Sequence, residues 1–171
     1  MTWIQTYTGR RFFPLGPKPE DLDLRDVAHA LSLQCRFNGH CLRFYSVAEH
    51  SVRVSRALPV GLEAWGLLHD AAEAYLSDLP SPIKRQMPLF QDAESDLLRV
   101  IADRFGLSWP MPEPVARADL ALLATEARDL MAPPPEPWRL EAAPLEARIE
   151  PWAPADAERA FLERCSELSL R

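Results

Sequence analysis

The chain has 171 residues, 26% of them charged and 47% hydrophobic, with a formal net charge of −6 at pH 7. That is ordinary composition for one globular domain; it excludes a disordered chain, and the negative charge disfavours a protein that grips nucleic-acid backbones non-specifically. Apolar stretches break at charges well short of the roughly 18 residues a membrane span needs, the opening MTWIQTYTGRR lacks the apolar centre of a secretory signal, and Cys35, Cys41 and Cys165 show no CxxC spacing. A cytoplasmic protein with free thiols is expected.

In chain order, WIQTYTGRRFFPL (3–15) is aromatic and β-branched around a Thr8-Gly9 turn signal and predicts a short hairpin or an extended arm. Apolar spacing in RDVAHALSLQCRF (25–37) predicts a first helix with Asp26 near its start. SVAEHSVRVSRAL (46–58) predicts a second, with Ser46 and Glu49 at capping-box spacing and Pro59 and Gly61 as the stop. A third covers about 62–76, where Leu62, Trp65, Leu68, Ala72 and Tyr75 recur at three- and four-residue intervals. LFQDAESDLLRVIADRFG (89–106) closes on Gly106, a natural C-cap. PVARADLALLATEARDLM (114–131) tolerates Pro114 in its first turn. Ten of the 17 prolines lie from Pro110 onward, so APPPEPW (132–138) predicts an extended segment wrapped over the core. A final helix over about 155–169 packs back through Phe161, Leu162 and Leu168. The expected fold is all-α: one domain over 1–171, with a core over about 24–131 and a proline-rich wrap and last helix over 132–171.

Polar chemistry interrupts these apolar helices at particular places. In GLLHDAAEAYLSDLPSPIKR (66–85), His69, Asp70 and Glu73 fall within about one turn, and Asp78 sits in the proline-studded turn that follows. His50 stands beside Val47 and Val52, and Asp119 beside Leu120 and Leu122. Unpaired imidazoles and carboxylates are costly in such surroundings. A divalent metal serves His50, His69, Asp70 and Asp119 together, and a mixed nitrogen and oxygen donor set suits Mn²⁺, Co²⁺, Fe²⁺ or Zn²⁺ better than Mg²⁺. Water at such an ion becomes acidic enough to attack phosphorus or carbon. Glu73, one turn after His69, is placed to orient or deprotonate it, and Asp78 lies just beyond.

Arg36, 14 residues before His50, and Lys84, six after Asp78, are within reach of an anionic substrate, so phosphate-ester hydrolysis fits these parts best. Plainer roles are available for some of them. Arg36 serves equally as a surface ion-pair residue, His29 and His40 as satisfied core or surface histidines. Trp3, Trp65, Trp109, Trp138 and Trp152 are expected to be packing groups, since none interleaves with a basic stripe. No glycine-rich phosphate loop or nucleophile elbow occurs.

Over about 36–129 these motifs resemble the HD-domain phosphohydrolase superfamily, and within it the branch of small 5′-deoxynucleotidases known as YfbR-like. SVAEHSVRVS is similar to that branch's EHS segment, LLHDAAEAYLSDLPSPIKR to its HD-A-x-E…GDLPxPxK segment, and ARADLALLATEARDL to its AD…E helix. The resemblance implies a helical HD-domain bundle with a metal held by His50, His69, Asp70 and Asp119. It further implies that Glu73 positions or activates the attacking water, that Asp78 supports it or contacts the sugar, that Arg36 binds the substrate phosphate, that Phe37 packs near the sugar, and that Lys84 is the lysine of the PxPxK turn.

The implied reaction converts deoxynucleoside 5′-monophosphates to nucleoside and phosphate. Two alternatives accompany it. One is a deoxynucleoside triphosphate triphosphohydrolase, for which Lys84, Arg85 and, with the arm folded over the site, Arg10 and Arg11 would supply charge. The other is a non-catalytic nucleotide-binding protein on the same scaffold. The expected partner is a small nucleotide rather than a nucleic-acid polymer or a membrane, and the resemblance leaves room for a homodimer. Only 18 residues separate His50 from His69, fewer than in the better-known bacterial nucleotidases, and the arm at 1–20, Gly39-His40 and the segment over 131–154 have no clear counterpart there.

Overall fold

The computed structural model describes residues 2–171. Thr8 and Gly9 turn the chain back on itself, and the arm is a hairpin: β1 (Ile4–Gln5) pairs antiparallel with β2 (Arg11–Phe12), Ile4 opposite Phe12. Gly9 takes φ +81°, which glycine adopts without steric cost. The Asp26 carboxylate accepts from the Thr8 N–H at 2.6 Å and from its hydroxyl at 2.9 Å. Asp26 therefore ties the hairpin to α1 (Leu24–Leu33), and the N-cap of that helix is Asp23, whose side chain accepts from the Arg25 N–H.

The protein is mostly helical. After α1 come α2 (Val47–Ala57), α3 (Glu63–Leu68), α4 (Glu73–Leu76), the single turn α5 (Ser81–Lys84), α6 (Pro88–Phe105), α7 (Glu113–Leu130) and α8 (Pro154–Glu167). Ser46 caps α2 by accepting from the Glu49 N–H, but the Glu49 side chain does not return the bond. It accepts instead from Arg53 and, at 2.7 Å, from the Trp152 N–H, so the capping box is half formed and its carboxylate anchors the chain's last loop. Gly106, at φ +67°, ends α6 as expected.

The third helix is not continuous over 62–76. Past Leu68 the chain tightens into shorter-range bonds, Ala71 N–H to the Leu68 carbonyl and Glu73 N–H to the Asp70 carbonyl, before α4 resumes. His69 contributes to the break by turning its Nδ1 onto the Gly66 carbonyl at 2.9 Å. Ser77, at φ +78°, stops α4 and swings Asp78 back toward the helices.

The main core extends beyond 24–131. Phe12 from the hairpin and Ala157, Phe161 and Cys165 from α8 join Val27, Leu31, Val52, Leu67, Leu68, Leu97 and Ile101 in one cluster. Segment 131–153 has no helix or strand and lies over the body, as its prolines predict. Thr125 Oγ1 receives the Leu145 N–H, Asp129 receives the Ile149 N–H and Arg148, and Arg128 donates to the carbonyls of Leu145 and Ala147. Among the described residues no helix is long and apolar enough to cross a membrane.

Gly66 sets the spacing on which the site depends. A Cβ there would lie 2.5 Å from Leu58 Cδ1 and 2.8 Å from the Ser55 Cα, so glycine lets α3 press directly on the backbone of α2. Gly66→Ala is therefore expected to cost about 1–3 kcal/mol by overpacking, read as a lower urea midpoint. Unchanged stability would show that the two helices separate without penalty.

Candidate metal centre

Helices α2 and α7 and the turn that follows α3 bring His50, Asp119, and His69 with Asp70, to a common point. His50 and His69 face each other with their Nε2 atoms 3.2 Å apart. Asp119 Oδ1 lies 3.1 Å from His50 Nε2 and 4.0 Å from His69 Nε2, and these three residues form a compact potential ligand group. Asp70 adds Oδ2 at 3.3 Å from His69 Nε2 and 3.6 Å from His50 Nε2. Two donors on one ion at bond lengths of about 2.0–2.2 Å stand roughly 3–4 Å apart, so these separations suit a shared cation.

Hydrogen bonding on the far side of each ring gives the nitrogens their roles. His69 Nδ1–H donates to the Gly66 carbonyl, and His50 Nδ1–H donates to Glu126 Oε1 at 2.6 Å. Both Nε2 atoms thereby become lone-pair donors, pointing at each other and at two carboxylates. Four acceptors without a hydrogen between them repel, and a positive charge relieves this. Burial and the Arg36 guanidinium both push the His50 imidazole down, yet Glu126 and Asp119 outweigh them and hold it up at about 10. This cluster selects positive charge, whether as a proton on His50 or as a cation among the donors.

Glu126 was not among the residues singled out from the sequence, although it stands seven residues after Asp119, two turns on along the same face of α7. It is fully buried and also receives Arg36 Nε at 3.2 Å and Nη2 at 3.1 Å. Burial favours its neutral form, but Arg36 and His50 outweigh burial and keep its pKa below the usual carboxylate range. One carboxylate thus orients both a candidate metal ligand and the arginine expected to meet the substrate.

The loop carrying Arg36 is held tightly. Arg36 N–H bonds the Tyr45 carbonyl, Val47 N–H bonds the Gln34 carbonyl, and Gln34 Nε2 reaches the Glu73 carbonyl at 3.0 Å. Phe37 and Asn38 follow at φ +56° and +51°, two successive non-glycine residues in the left-handed region. Each departs from its preferred backbone, and the surrounding bonds maintain them there. The arginine projects inward with Nη1 3.5 Å from Asp70 Oδ2. Cys35 and Cys41 flank this turn as free thiols, their sulfurs 3.5 Å apart.

A cleft of about 430 Å³ opens over these groups. Arg36, Phe37, Asp70, Glu73, Asp78, Lys84 and Asp119 all line it, so seven of the nine expected site residues share one cavity; His50 and His69 lie buried at its base. Glu73 Oε2 is buried and has no hydrogen-bond partner among the described residues, while Oε1 lies 3.4 Å from Lys84 Nζ. Burial first, then Asp70 and Asp78, push the Glu73 carboxyl well up, and burial raises Asp78 too. Lys84 is committed to carboxylates: its shortest contact is 2.7 Å to Glu94, within an ion-pair network that also includes Glu73.

Other expectations separate from the site. Arg10 lines a different groove and pairs with Asp23 at 3.4 Å, and Arg11 stacks over Trp3, so the hairpin brings neither arginine to this cleft. His29 stacks on Tyr7 and contacts Glu158 at 3.1 Å, and His40 is exposed; both fit their plainer role. Trp65 is a packing group, 2% exposed with Nε1–H on the Ser108 carbonyl. Trp138 departs from that expectation, because it lines the cleft and is 40% exposed.

Fold and site together define a mostly helical protein with a candidate divalent-metal centre of two histidines and two aspartates beneath an acidic and basic cleft. The chain belongs to the family of the uncharacterized protein YfdR of Escherichia coli K12, to which it is 40% identical over 172 residues, covering 99% of this chain and 97% of that protein. It is also 37% identical over 136 residues to the uncharacterized protein RCAP_rcc00048 of Rhodobacter capsulatus, covering 74% of this chain and 69% of the relative. No protein-family model matches the sequence.

Proposed function

We propose that the protein is a divalent-metal-dependent phosphohydrolase of the HD-domain type, cleaving deoxynucleoside 5′-monophosphates to nucleoside and phosphate. The observation that carries this reading is the convergence of His50, His69, Asp70 and Asp119 at the base of a cleft also lined by Arg36, Glu73 and Asp78. His50, His69, Asp70 and Asp119 are the residues that would hold the ion, and their nitrogen and oxygen donors favour Mn²⁺, Co²⁺, Fe²⁺ or Zn²⁺. Such an ion supplies Lewis acidity to a phosphoryl oxygen and to water.

The chain's own groups supply the rest. Arg36, oriented by Glu126, presents a planar fork to phosphoryl oxygens, where its positive charge opposes the charge of the transition state. Glu73 Oε2, unpartnered in the cleft, accepts a proton from the attacking water. The water oxygen bonds to phosphorus, the P–O5′ bond breaks, and O5′ leaves as the nucleoside hydroxyl with a proton that balances the one Glu73 took from the water, which returns Glu73 to its carboxylate form over the cycle. Lys84, braced by Glu94, holds the other Glu73 oxygen and so fixes which one faces the water.

Charge in the cleft favours a monophosphate over a triphosphate. Its cationic lining consists of Arg36 and Lys84, both already facing carboxylates, and Arg10 and Arg11 are engaged elsewhere. With Mn²⁺ or Co²⁺, deoxynucleoside monophosphates are expected to release phosphate in a chromatographic panel of mono- and triphosphates. Glu73→Gln is expected to retain metal while turnover falls on the order of 10²-fold or more. Triphosphate release from deoxynucleoside triphosphates would move the protein to the triphosphohydrolase alternative. Nucleotide binding without turnover would favour the non-catalytic one.

A further inference from the structure

The proposed hydrolysis uses the base of the cleft and gives its outer wall no task. Along that wall the groups form a series. The Arg36 guanidinium lies over the Phe37 ring at 5.5 Å, and the Phe37 ring faces Trp138 at 6.0 Å between centroids, tilted by 59°. The cleft therefore runs from metal-ligand donors through a cation to two aromatic rings. Asn38, next to Phe37, adds an amide to the same lining.

Trp138 is not where a packing tryptophan belongs. With 40% of its surface exposed, it forgoes much of the burial that makes such a side chain stabilising. Pro133, Pro134, Pro135 and Pro137 restrict the backbone just before it, and the bonds from Thr125, Arg128 and Asp129 pin the same segment again at Leu145 and Ile149. A stiffened, anchored strap holds the ring over the cleft at low entropic cost.

We propose that Trp138 is the nucleobase contact of this cleft, stacking on the heterocycle of a nucleotide whose phosphate lies at Arg36. The inference rests on the phosphohydrolase reading and names the residue that selects phosphate esters carrying an aromatic base. Stacking on an indole face tolerates any base but rejects a sugar phosphate that has none.

The test measures kcat and KM for dAMP and for 2-deoxyribose 5-phosphate, with Mn²⁺, in the wild type, Trp138→Ala and Trp138→Phe. In Trp138→Ala the preference for dAMP over the base-free ester is expected to collapse by roughly 10-fold to 100-fold, chiefly through the KM for dAMP, and Trp138→Phe is expected to recover most of it. Equal losses on both substrates, or an unchanged preference, would overturn the assignment. If the wild type hydrolyses neither ester, the phosphohydrolase reading fails, and calorimetric titration with dAMP decides Trp138 separately. Weaker dAMP binding in Trp138→Ala then supports the contact; equal or absent binding overturns it.

Discussion

In the Glu126→Ala protein, folding stability is expected to fall by about 3–5 kcal/mol, the usual cost of removing one partner from a buried ion pair. Glu126 is fully buried and serves three hydrogens: His50 Nδ1–H, Arg36 Nε–H and an Arg36 Nη2 hydrogen. Truncation leaves the guanidinium with Asp70, 3.5 Å away, as its nearest carboxylate, and leaves the His50 Nδ1–H without an acceptor. Glu126→Gln keeps the shape and one carbonyl oxygen but turns an NH₂ toward one of the donors, so an intermediate loss is expected. Urea unfolding reads the stability, and Mn²⁺ titration of the Gln variant reads the second consequence, a metal affinity weaker by about 10- to 100-fold because His50 has lost its orienting partner. An Ala variant as stable as the wild type would mean that Arg36 and His50 find other partners in the interior.

Asp119→Ala is expected to separate metal binding from folding. The Asp119 side chain is 37% exposed, unlike those of the two histidines, so its removal opens no buried cavity. Within the site it contributes the anionic oxygen 3.1 Å from His50 Nε2, and His50 and His69 hold its carboxyl well below the usual range although burial opposes them. Loss of that ligand is expected to weaken Mn²⁺ binding by at least the order of 10²-fold, more than a change to an outer partner costs. Phosphate release is expected to fall with it. Calorimetric titration with Mn²⁺ and the metal content of the purified protein test the first statement directly. Mn²⁺ affinity equal to the wild type would remove Asp119 from the centre and leave His50, His69 and Asp70 as its ligands.

Helical periodicity placed most elements within a few residues, because an apolar stripe at three- and four-residue intervals has one efficient burial. The interruption at 69–72 was hidden from that logic. Leu68, Ala72 and Tyr75 continue the stripe through it, while one contribution to the break is a side-chain bond from His69 to a main-chain carbonyl, which periodicity does not register. Asp26 misled for a related reason: beside a helix start it suggests a cap, but its partner Thr8 is 18 residues away. Gly66 gave no local signal, since the need for a missing Cβ arises only where a second helix passes close by.

Residue type and position by themselves determined the helical class, the proline-rich strap and the candidate metal donors, because burial of apolar stripes and the scarcity of polar groups within them are properties of single segments. Tertiary structure alone decided that these donors meet at separations suited to one ion, that Glu126 orients both His50 and Arg36, that the hairpin arginines lie away from the cleft, and that Trp138 faces it. Each of those outcomes depends on which faces of distant segments come together, and that is set by the packing of the whole core rather than by any stretch of the chain.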